Sequence, residues 1–262
     1  MRVLLIDGLN LIRRVYAAVP GEPGTFEHNE GALLSIRRSV GRAIEETAAT
    51  HGLCVMDSAG PGWRHSLYPD YKAARPAMPD TLSALLPGVA EALSELGMPS
   101  VVVAGFEADD VLASVVHKAA GRPGLHPIVL STDKSMLSLL PHGATVRHHF
   151  EHRDLTPAYV REHYGVTPAQ LLDWIALVGD TSQGVPGAKG IGRKRASALL
   201  VRYQNIDTIL GAEADADREN ARALAAVQRD ADTVRLSRSL VSLRTDANVG
   251  VNLQACRIKS MQ

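Results

Sequence analysis

The feature that most constrains this chain is the position of its acids relative to its short apolar runs. Residues 3–6, 53–56, 101–104 and 128–130 are apolar throughout rather than alternating. Runs of that length and kind predict strands buried on both faces of a parallel sheet. Asp7 ends the first run and Asp57 the second. Gly105-Phe106-Glu107-Ala108-Asp109-Asp110 follows the third, and Asp133 comes just after the fourth. Open parallel sheets bind ligands at the carboxyl ends of their strands. Four separate segments therefore deliver acids to a single edge.

Between these runs lie helical patterns. Residues 32–47 carry Leu33, Leu34, Ile36, Val40 and Ile44, and residues 81–96 carry Leu82, Leu85, Leu86, Val89, Leu93 and Leu96. Residues 110–120 carry Val111, Leu112, Val115 and Val116 at the same helical spacing. Residues 1–155 are accordingly predicted to be an α/β unit, a mostly parallel central sheet flanked by helices. Residues 146–150 are a weaker strand candidate. From Thr156 the pattern changes, and residues 156–262 are predicted to form a helical region. Thr156-Pro157 and Thr167-Pro168 read as helix starts with proline at the first position. Residues 171–178 and 196–203 read as helices, residues 212–235 as either helix or loose surface, and residues 239–243 as the one late strand candidate.

Clustered carboxylates repel one another and resist ionisation, so a shared edge of acids calls for a cation. Hard oxygen donors suit Mg²⁺ or Mn²⁺, and two such ions about 4 Å apart are a common device for cleaving phosphodiesters. Glu107 and Asp110, three apart, share a face of a helical turn. Each acid taken singly has another reading: an Asp after a strand caps a turn or helix, and acids in a first helical turn complement the helix dipole. The convergence of four segments favours the metal.

The second half holds Gly184-Val185-Pro186-Gly187-Ala188-Lys189-Gly190-Ile191-Gly192-Arg193-Lys194-Arg195. Glycines permit tight turns and close backbone approach, and N–H groups at a new helix start hold phosphates without reading sequence. Lys189, Arg193, Lys194 and Arg195 add charge. Carbonyls freed by such a loop can also ring a monovalent cation. The alternative is a plain loop before a solvated basic helix. A third stretch, residues 68–78, mixes Tyr71, Lys72 and Arg75 with turn prolines. It either guides a single strand by stacking and charge or is a surface connection.

The chain is neutral overall, with 28 basic and 28 acidic residues. Many nucleic-acid binders are basic, but acids gathered at a metal site hide a basic surface from the sum. No apolar run approaches the ~20 residues of a membrane span. The first apolar run is broken too soon by Asp7 to be a signal peptide, so a cytoplasmic protein is expected. Cys54 and Cys256 show no metal-ligand spacing and are not expected to pair.

These segments together resemble the 5′-nuclease superfamily, the nuclease domain of bacterial DNA polymerase I and the phage and cellular flap endonucleases. The matching residues are Leu4-Leu5-Ile6-Asp7-Gly8, Asp57, Tyr71-Lys72-Ala73-Ala74-Arg75-Pro76, Glu107-Ala108-Asp109-Asp110, Ser131-Thr132-Asp133-Lys134, and Gly179-Asp180 leading into the glycine hairpin. They occur in family order, and the short form without a polymerase is similar to the bacterial exonuclease IX type. The resemblance implies a PIN-like 5′-nuclease fold with a helix-hairpin-helix motif near residues 171–203 and an arch segment near residues 64–80. It implies metal ligation by Asp7, Asp57, Glu107, Asp109 and Asp110, with Lys72 and Arg75 on the scissile phosphate. It implies a K⁺ held by the carbonyls of Leu177, Val178, Pro186, Ala188 and Ile191. DNA contact is implied at Tyr71, Lys72, Arg75, Lys189, Gly190, Ile191, Gly192, Arg193, Lys194 and Arg195.

One departure from the family pattern bears on mechanism. Where the family usually has a second Asp after Thr132 this chain has Ser135, and where it usually has one after Asp180 this chain has Gln183. Asp133 and Asp180 are what remains of a second carboxylate group, so one metal is expected to be held well and one weakly. Both survivors also have structural readings, Asp180 with Gln183 as a capping box and Asp133 as an N-cap before Met136, Leu137 and Leu140. The expected activity is a Mg²⁺-dependent 5′ nuclease acting, as a monomer, on 5′-flapped or 5′-ended DNA. Neither a membrane nor a small-molecule substrate is expected. A flap-binding protein with little catalysis is the second reading, and a metal-dependent phosphatase or ribonuclease is the third.

Overall fold

The structure is a computed structural model, and it describes residues 1–213 and 217–259. In chain order its elements begin β1 (Arg2–Asp7), α1 (Gly8–Ala18), α2 (Phe26–Thr47), β2 (His51–Met56), α3 (Trp63–Leu67), α4 (Asp80–Glu95), β3 (Ser100–Val102) and α5 (Ala108–Ala119). There follow β4 (His126–Leu130), a 3₁₀ segment Lys134–His142, β5 (Thr145–His148) and β6 (Arg153–Leu155). The remainder is helical: α6 (Pro157–Tyr164), α7 (Leu171–Val178), α8 (Arg193–Tyr203), α9 (Ile206–Gly211), α10 (Arg218–Arg229) and α11 (Ala231–Val241).

The chain forms two compact units. Residues 1–60, 76–154 and those from Arg244 onward make the first, and residues 61–75 with 155–243 make the second. This division differs from a single cut near residue 155 at two segments. Residues 61–75, read from sequence as part of the α/β half, pack with the helical unit. Residues from Arg244, read as part of the helical half, pack with the sheet.

The first unit is built on a six-stranded sheet in the order β3-β2-β1-β4-β5-β6. β1 pairs with β2 and β4, β2 with β3, and β4 with β5, all in parallel. Leu4, Ile6, Cys54, Ile128 and Leu130 project from one face into a core that includes Leu11, Ile36 and Leu85 from α1, α2 and α4. On the other face Val3, Leu5 and Leu53 line a cavity of about 380 Å³ shared with Val115 of α5 and with residues 248–253. These late residues hold to the unit by backbone bonds. Gly52 N donates to Cys256 O at 2.8 Å, Ile258 N to Thr50 O at 3.1 Å, and Lys259 N to Leu96 O at 3.0 Å. Cys54 and Cys256 are both buried and free; burial pushes the Cys54 thiol up to about 12.

Several local expectations change. The late strand candidate at 239–243 is instead the end of α11, where Val234, Ser237 and Leu240 continue a helical buried stripe. Within 212–235 the structure shows α10 and α11, while residues 214–216 lie outside the described residues. The candidate at 146–150 is shorter, a β5 of four residues followed by a 3₁₀ turn, His149–Glu151. α1 and β6 had no counterpart in the sequence reading. Thr156 caps α6 as expected, accepting from Tyr159 N with Pro157 in the first turn.

In the second unit α7 packs on α8 and α11. Asp173 of α7 accepts from Ile206 N at 3.0 Å and pairs with Arg238 of α11. The buried Arg64 of α3 donates from Nε to Leu240 O at 2.7 Å and from a terminal nitrogen to Ser242 O at 2.8 Å. Tyr71, Val185 and Leu240 form a small apolar cluster of this unit.

Candidate active site

The parallel register aligns Asp7 with Val55 and Ile6 with Leu130. Asp7 at the end of β1, Asp57 just beyond β2, the Glu107 segment after β3 and Asp133 after β4 therefore stand along the carboxyl edge of one sheet. The strand order reverses between β1 and β4, and such a switch point is where open α/β sheets form their binding crevice.

Asp7, Asp57, Glu107, Asp110 and Asp133 each have protein donors. Asp7 is buried, caps α1 by accepting from Asn10 N at 3.3 Å, and accepts from Ser131 Oγ at 2.8 Å. Asp57 Oδ1 accepts from Ala108 N at 2.8 Å, which fixes the start of α5 against the end of β2. Glu107 and Asp110 form a capping box on α5, and the fully buried Asp110 also accepts from Arg244 N at 2.9 Å. Asp109 lies half-buried in the same first turn. Asp133 Oδ1 accepts from both Ser135 N at 2.8 Å and Ser135 Oγ at 2.7 Å. The capping role of Asp7, Glu107, Asp110 and Asp133 is thus real, and it orients the same carboxylates along the sheet edge. Among the described residues no three His, Cys, Asp or Glu side chains stand together at metal-ligating spacing.

Electrostatics supply the test of whether a cation suits this edge. Burial lifts the Asp7 carboxyl from 3.8 to about 7; the Ser131 hydrogen bond opposes that, and the charges of Asp57 and Asp133 add to it. A carboxylate lifted first by burial and further by two neighbouring carboxylates suits a nearby cation, and an oxygen-only donor set fits a hard divalent ion. Folded Asp7 keeps its proton to about pH 7 whereas an unfolded Asp releases it near 3.8. The contribution to stability is full below the lower value and is lost as pH rises through the upper one. With chelator present, the wild type is expected to lose at most about 4 kcal/mol more than Asp7→Asn between about pH 4 and pH 8. Added Mg²⁺ is expected to raise its unfolding midpoint more at about pH 8 than at about pH 5. Parallel midpoints for the two proteins at every pH would remove Asp7 from this account.

In the second unit Asp180 does not cap a helix. Its Oδ1 accepts from Ser182 N at 3.0 Å and Ser182 Oγ at 2.6 Å, while Gln183 N donates to Asp180 O in a turn. No helix follows because Gly184 turns the chain at φ +69°. The hairpin then closes by Asp180 N to Val185 O and Val185 N to Asp180 O, both 2.9 Å. Ala188 N donates to Leu177 O at 2.9 Å and Ile191 N to Ala188 O at 3.1 Å. A side chain at Gly187 would stand 2.5 Å from Gly179 N and 2.7 Å from Val178 C, so the two glycines are what let the end of α7 and the hairpin touch.

The residues of the hairpin stretch divide. Lys189, Gly190, Gly192, Arg193, Lys194 and Arg195 are exposed, whereas Ile191 is buried. Arg193 packs over Trp174 and Tyr164, 5.6 and 5.9 Å from the ring centroids, and donates to His163 O at 2.9 Å. Tyr71 departs from its expected stacking role: it is buried in the unit's apolar cluster, its hydroxyl 3.5 Å from Gln183 Oε1. Lys72 sits at φ +55°, its N donating to Gln183 O at 3.0 Å and its ammonium 5.2 Å from the Tyr71 ring. Arg75 is exposed. Arg244 N, which holds Asp110, was missed because a backbone donor leaves no residue-type signal.

Comparison with known proteins matches both halves. A family profile described as 5′-3′ exonuclease, N-terminal resolvase-like domain, covers residues 2–165, and one described as 5′-3′ exonuclease, C-terminal SAM fold, covers residues 166–262. The flap endonuclease Xni of Tolumonas auensis is 35% identical over 258 residues, covering 97% of each chain. That of Photobacterium profundum is 36% identical over 259 residues, covering 98% of this chain and 97% of its own. Among solved structures, the T5 D15 protein co-crystallised with metal ions superposes with a TM-score of 0.77 at 19% identity, over 92% of this chain and 89% of that one. The catalytic core of Rad2 with DNA superposes with a TM-score of 0.59 at 13% identity, over 94% and 79%. These two likenesses show the fold: a resolvase-like sheet domain followed by a helical SAM-fold domain. Full-length relatives above 30% identity, together with profiles that account for both domains, make this chain a member of the 5′-3′ exonuclease family.

Proposed function

We propose that this chain is a metal-dependent 5′ nuclease that cuts phosphodiester bonds in flapped or 5′-ended DNA, with Mg²⁺ as its ion. The observation that carries this is the convergence of carboxylates from four chain segments on one sheet edge, where Asp7 is raised by its burial and further by the charges of Asp57 and Asp133. Asp7, Asp57, Glu107, Asp109 and Asp110 would hold the divalent metal. When bound, it supplies activation of the attacking water and neutralises charge on the leaving oxygen. Ser131, Ala108 N and Arg244 N keep Asp7, Asp57 and Asp110 aimed along the edge. Lys72 and Arg75 steer and polarise the scissile phosphate, and the exposed hairpin residues bind the duplex backbone.

Leu177, Val178, Pro186, Ala188 and Ile191 are the carbonyls assigned to a K⁺ in the hairpin. The assignment rests on the match to the family's hairpin; here Leu177 O accepts from Ala188 N and Ala188 O from Ile191 N, so an ion would use the second lone pair of each. The protein is proposed to act as a cytoplasmic monomer.

The second reading, flap binding with weak catalysis, draws on Ser135 and Ser182. Each gives both an N–H and an O–H to one oxygen of the neighbouring Asp133 or Asp180. A second metal would compete with those bonds. Titrating Mg²⁺ against cleavage and binding of one flapped duplex separates the two readings. Cleavage is expected to rise with metal, saturating late, while binding changes little. Tight binding with no cutting at any metal concentration would favour the second reading.

A further inference from the structure

The second unit carries a cavity of about 450 Å³ between the glycine hairpin and α10. The hairpin side supplies Lys189 and Arg195, and α10 supplies Arg218, Glu219 and Arg222. Arg218 and Arg222 are one turn apart, so they leave the helix on one face. The inner stripe of α10 is buried at Leu224 and Val227. Ala223, itself part of that buried stripe, and Ala226 also line the concavity, and their small side chains leave it open down to the helix surface.

Two bonds hold the hairpin side in place. Lys189 N donates to Asp230 Oδ2 at 2.7 Å, and Asp230 is the residue that ends α10. Arg195 donates to Gly190 O at 3.0 Å, which curls its guanidinium over the hairpin. The concavity is lined by four cations, Lys189, Arg195, Arg218 and Arg222, and one carboxylate, Glu219, with the Asp230 carboxylate engaged by the hairpin N–H beside it. Like charges gathered around one cavity raise its potential, and an anion relieves it. Arginine forks match the geometry of phosphate oxygens, and the cavity has room for a phosphate with its attached sugar.

We infer that this cavity is a phosphate subsite, in which Arg218 and Arg222 of α10 join Lys189 and Arg195 to grip a backbone phosphate of duplex DNA beyond the hairpin. The inference rests on the flap-nuclease reading and names the surface by which the second unit extends its hold on the duplex.

The test is flap binding by the full chain across a salt series, comparing wild type with R218A/R222A, E219Q and the control R235A. Arg235 lies on α11 and pairs with Asp232 outside the cavity. Losing one phosphate contact lowers the log–log salt slope by about 0.9, so the double variant is expected to lose up to about 0.9 in slope and roughly 10-fold in affinity. Glu219→Gln is expected to tighten binding by about 2-fold, and R235A to leave affinity and slope close to wild type. Inorganic phosphate is expected to displace DNA from wild type better than chloride at matched ionic strength, and from R218A/R222A no better than chloride. Phosphate saturating the protein without displacing DNA would assign the cavity to a free anion and overturn the inference. An unchanged slope in R218A/R222A, with wild type still binding and cutting flaps, would overturn it alone. A wild type that neither binds nor cuts flapped DNA would instead overturn the reading beneath it.

Discussion

Replacing Asp109 with alanine is expected to abolish metal-dependent cleavage of a flapped duplex, a loss on the order of 10²- to 10⁴-fold for several kcal/mol of lost charge stabilisation. Flap binding should stay within about 3-fold, since Asp109 lies in the sheet unit and sequence-blind affinity comes chiefly from cations on phosphates. Asp109 is a better probe than its neighbour. Asp110 is fully buried and accepts from Glu107 N and Arg244 N, so its removal orphans buried donors and costs stability as well as chemistry. Asp109 is half-buried in the same first turn. Single-turnover cleavage beside anisotropy binding, both with Mg²⁺ and with chelator, gives the answer. Wild-type cleavage by Asp109→Ala would take this acid out of the site.

Gly187→Ala is expected to destabilise the second unit by about 3 kcal/mol or more and to weaken flap binding with it. Gly187 has φ +69°, and an added Cβ would meet backbone, Gly179 N at 2.5 Å and Val178 C at 2.7 Å. Backbone cannot rotate aside as a flexible side chain does, so either α7 or the hairpin must move. Gly190 is the internal comparison. Its φ is +79° but nothing lies within 4 Å of an added Cβ. Gly190→Ala should therefore show only the left-handed backbone cost of about 1–2 kcal/mol. Denaturant unfolding of both variants, with flap binding measured below their midpoints, checks the pair. Equal stability of the two would mean that the Gly179–Gly187 approach holds nothing together.

The parallel sheet was legible because strands buried on both faces must be apolar at every position, and residues 3–6, 53–56 and 128–130 are. β6 was not legible, because in Arg153-Asp154-Leu155 only Leu155 is buried and an edge strand needs no apolar run. Leu240 and Val241 were misread as strand because a short apolar pair has no period of its own. Only with Val234 and Ser237 does the helical stripe emerge. The acids of the site were legible as a set, since their spacing after each run is set by the sheet. Their donors were not, because Ala108 N and Arg244 N are backbone groups brought in from 51 and 134 residues away. The cations of α10 escaped notice because an exposed Arg218 or Arg222 resembles any solvated charge until the hairpin is seen to face it.

The interrupted path of the sheet unit has a consequence for how the protein is made. A ribosome delivers the strands and most of the acids first, then the whole of residues 155–243, and only afterwards the segment that bonds to Gly52, Thr50 and Leu96. The helical unit is therefore fully synthesised before the sheet unit receives its closing segment. A nascent chain interrupted before residue 244 lacks the N–H that holds Asp110. Synthesis order thus places the assembly of the carboxylate edge after that of the helical unit, and a slow step in emerging chains is expected at this last, longest-range pairing.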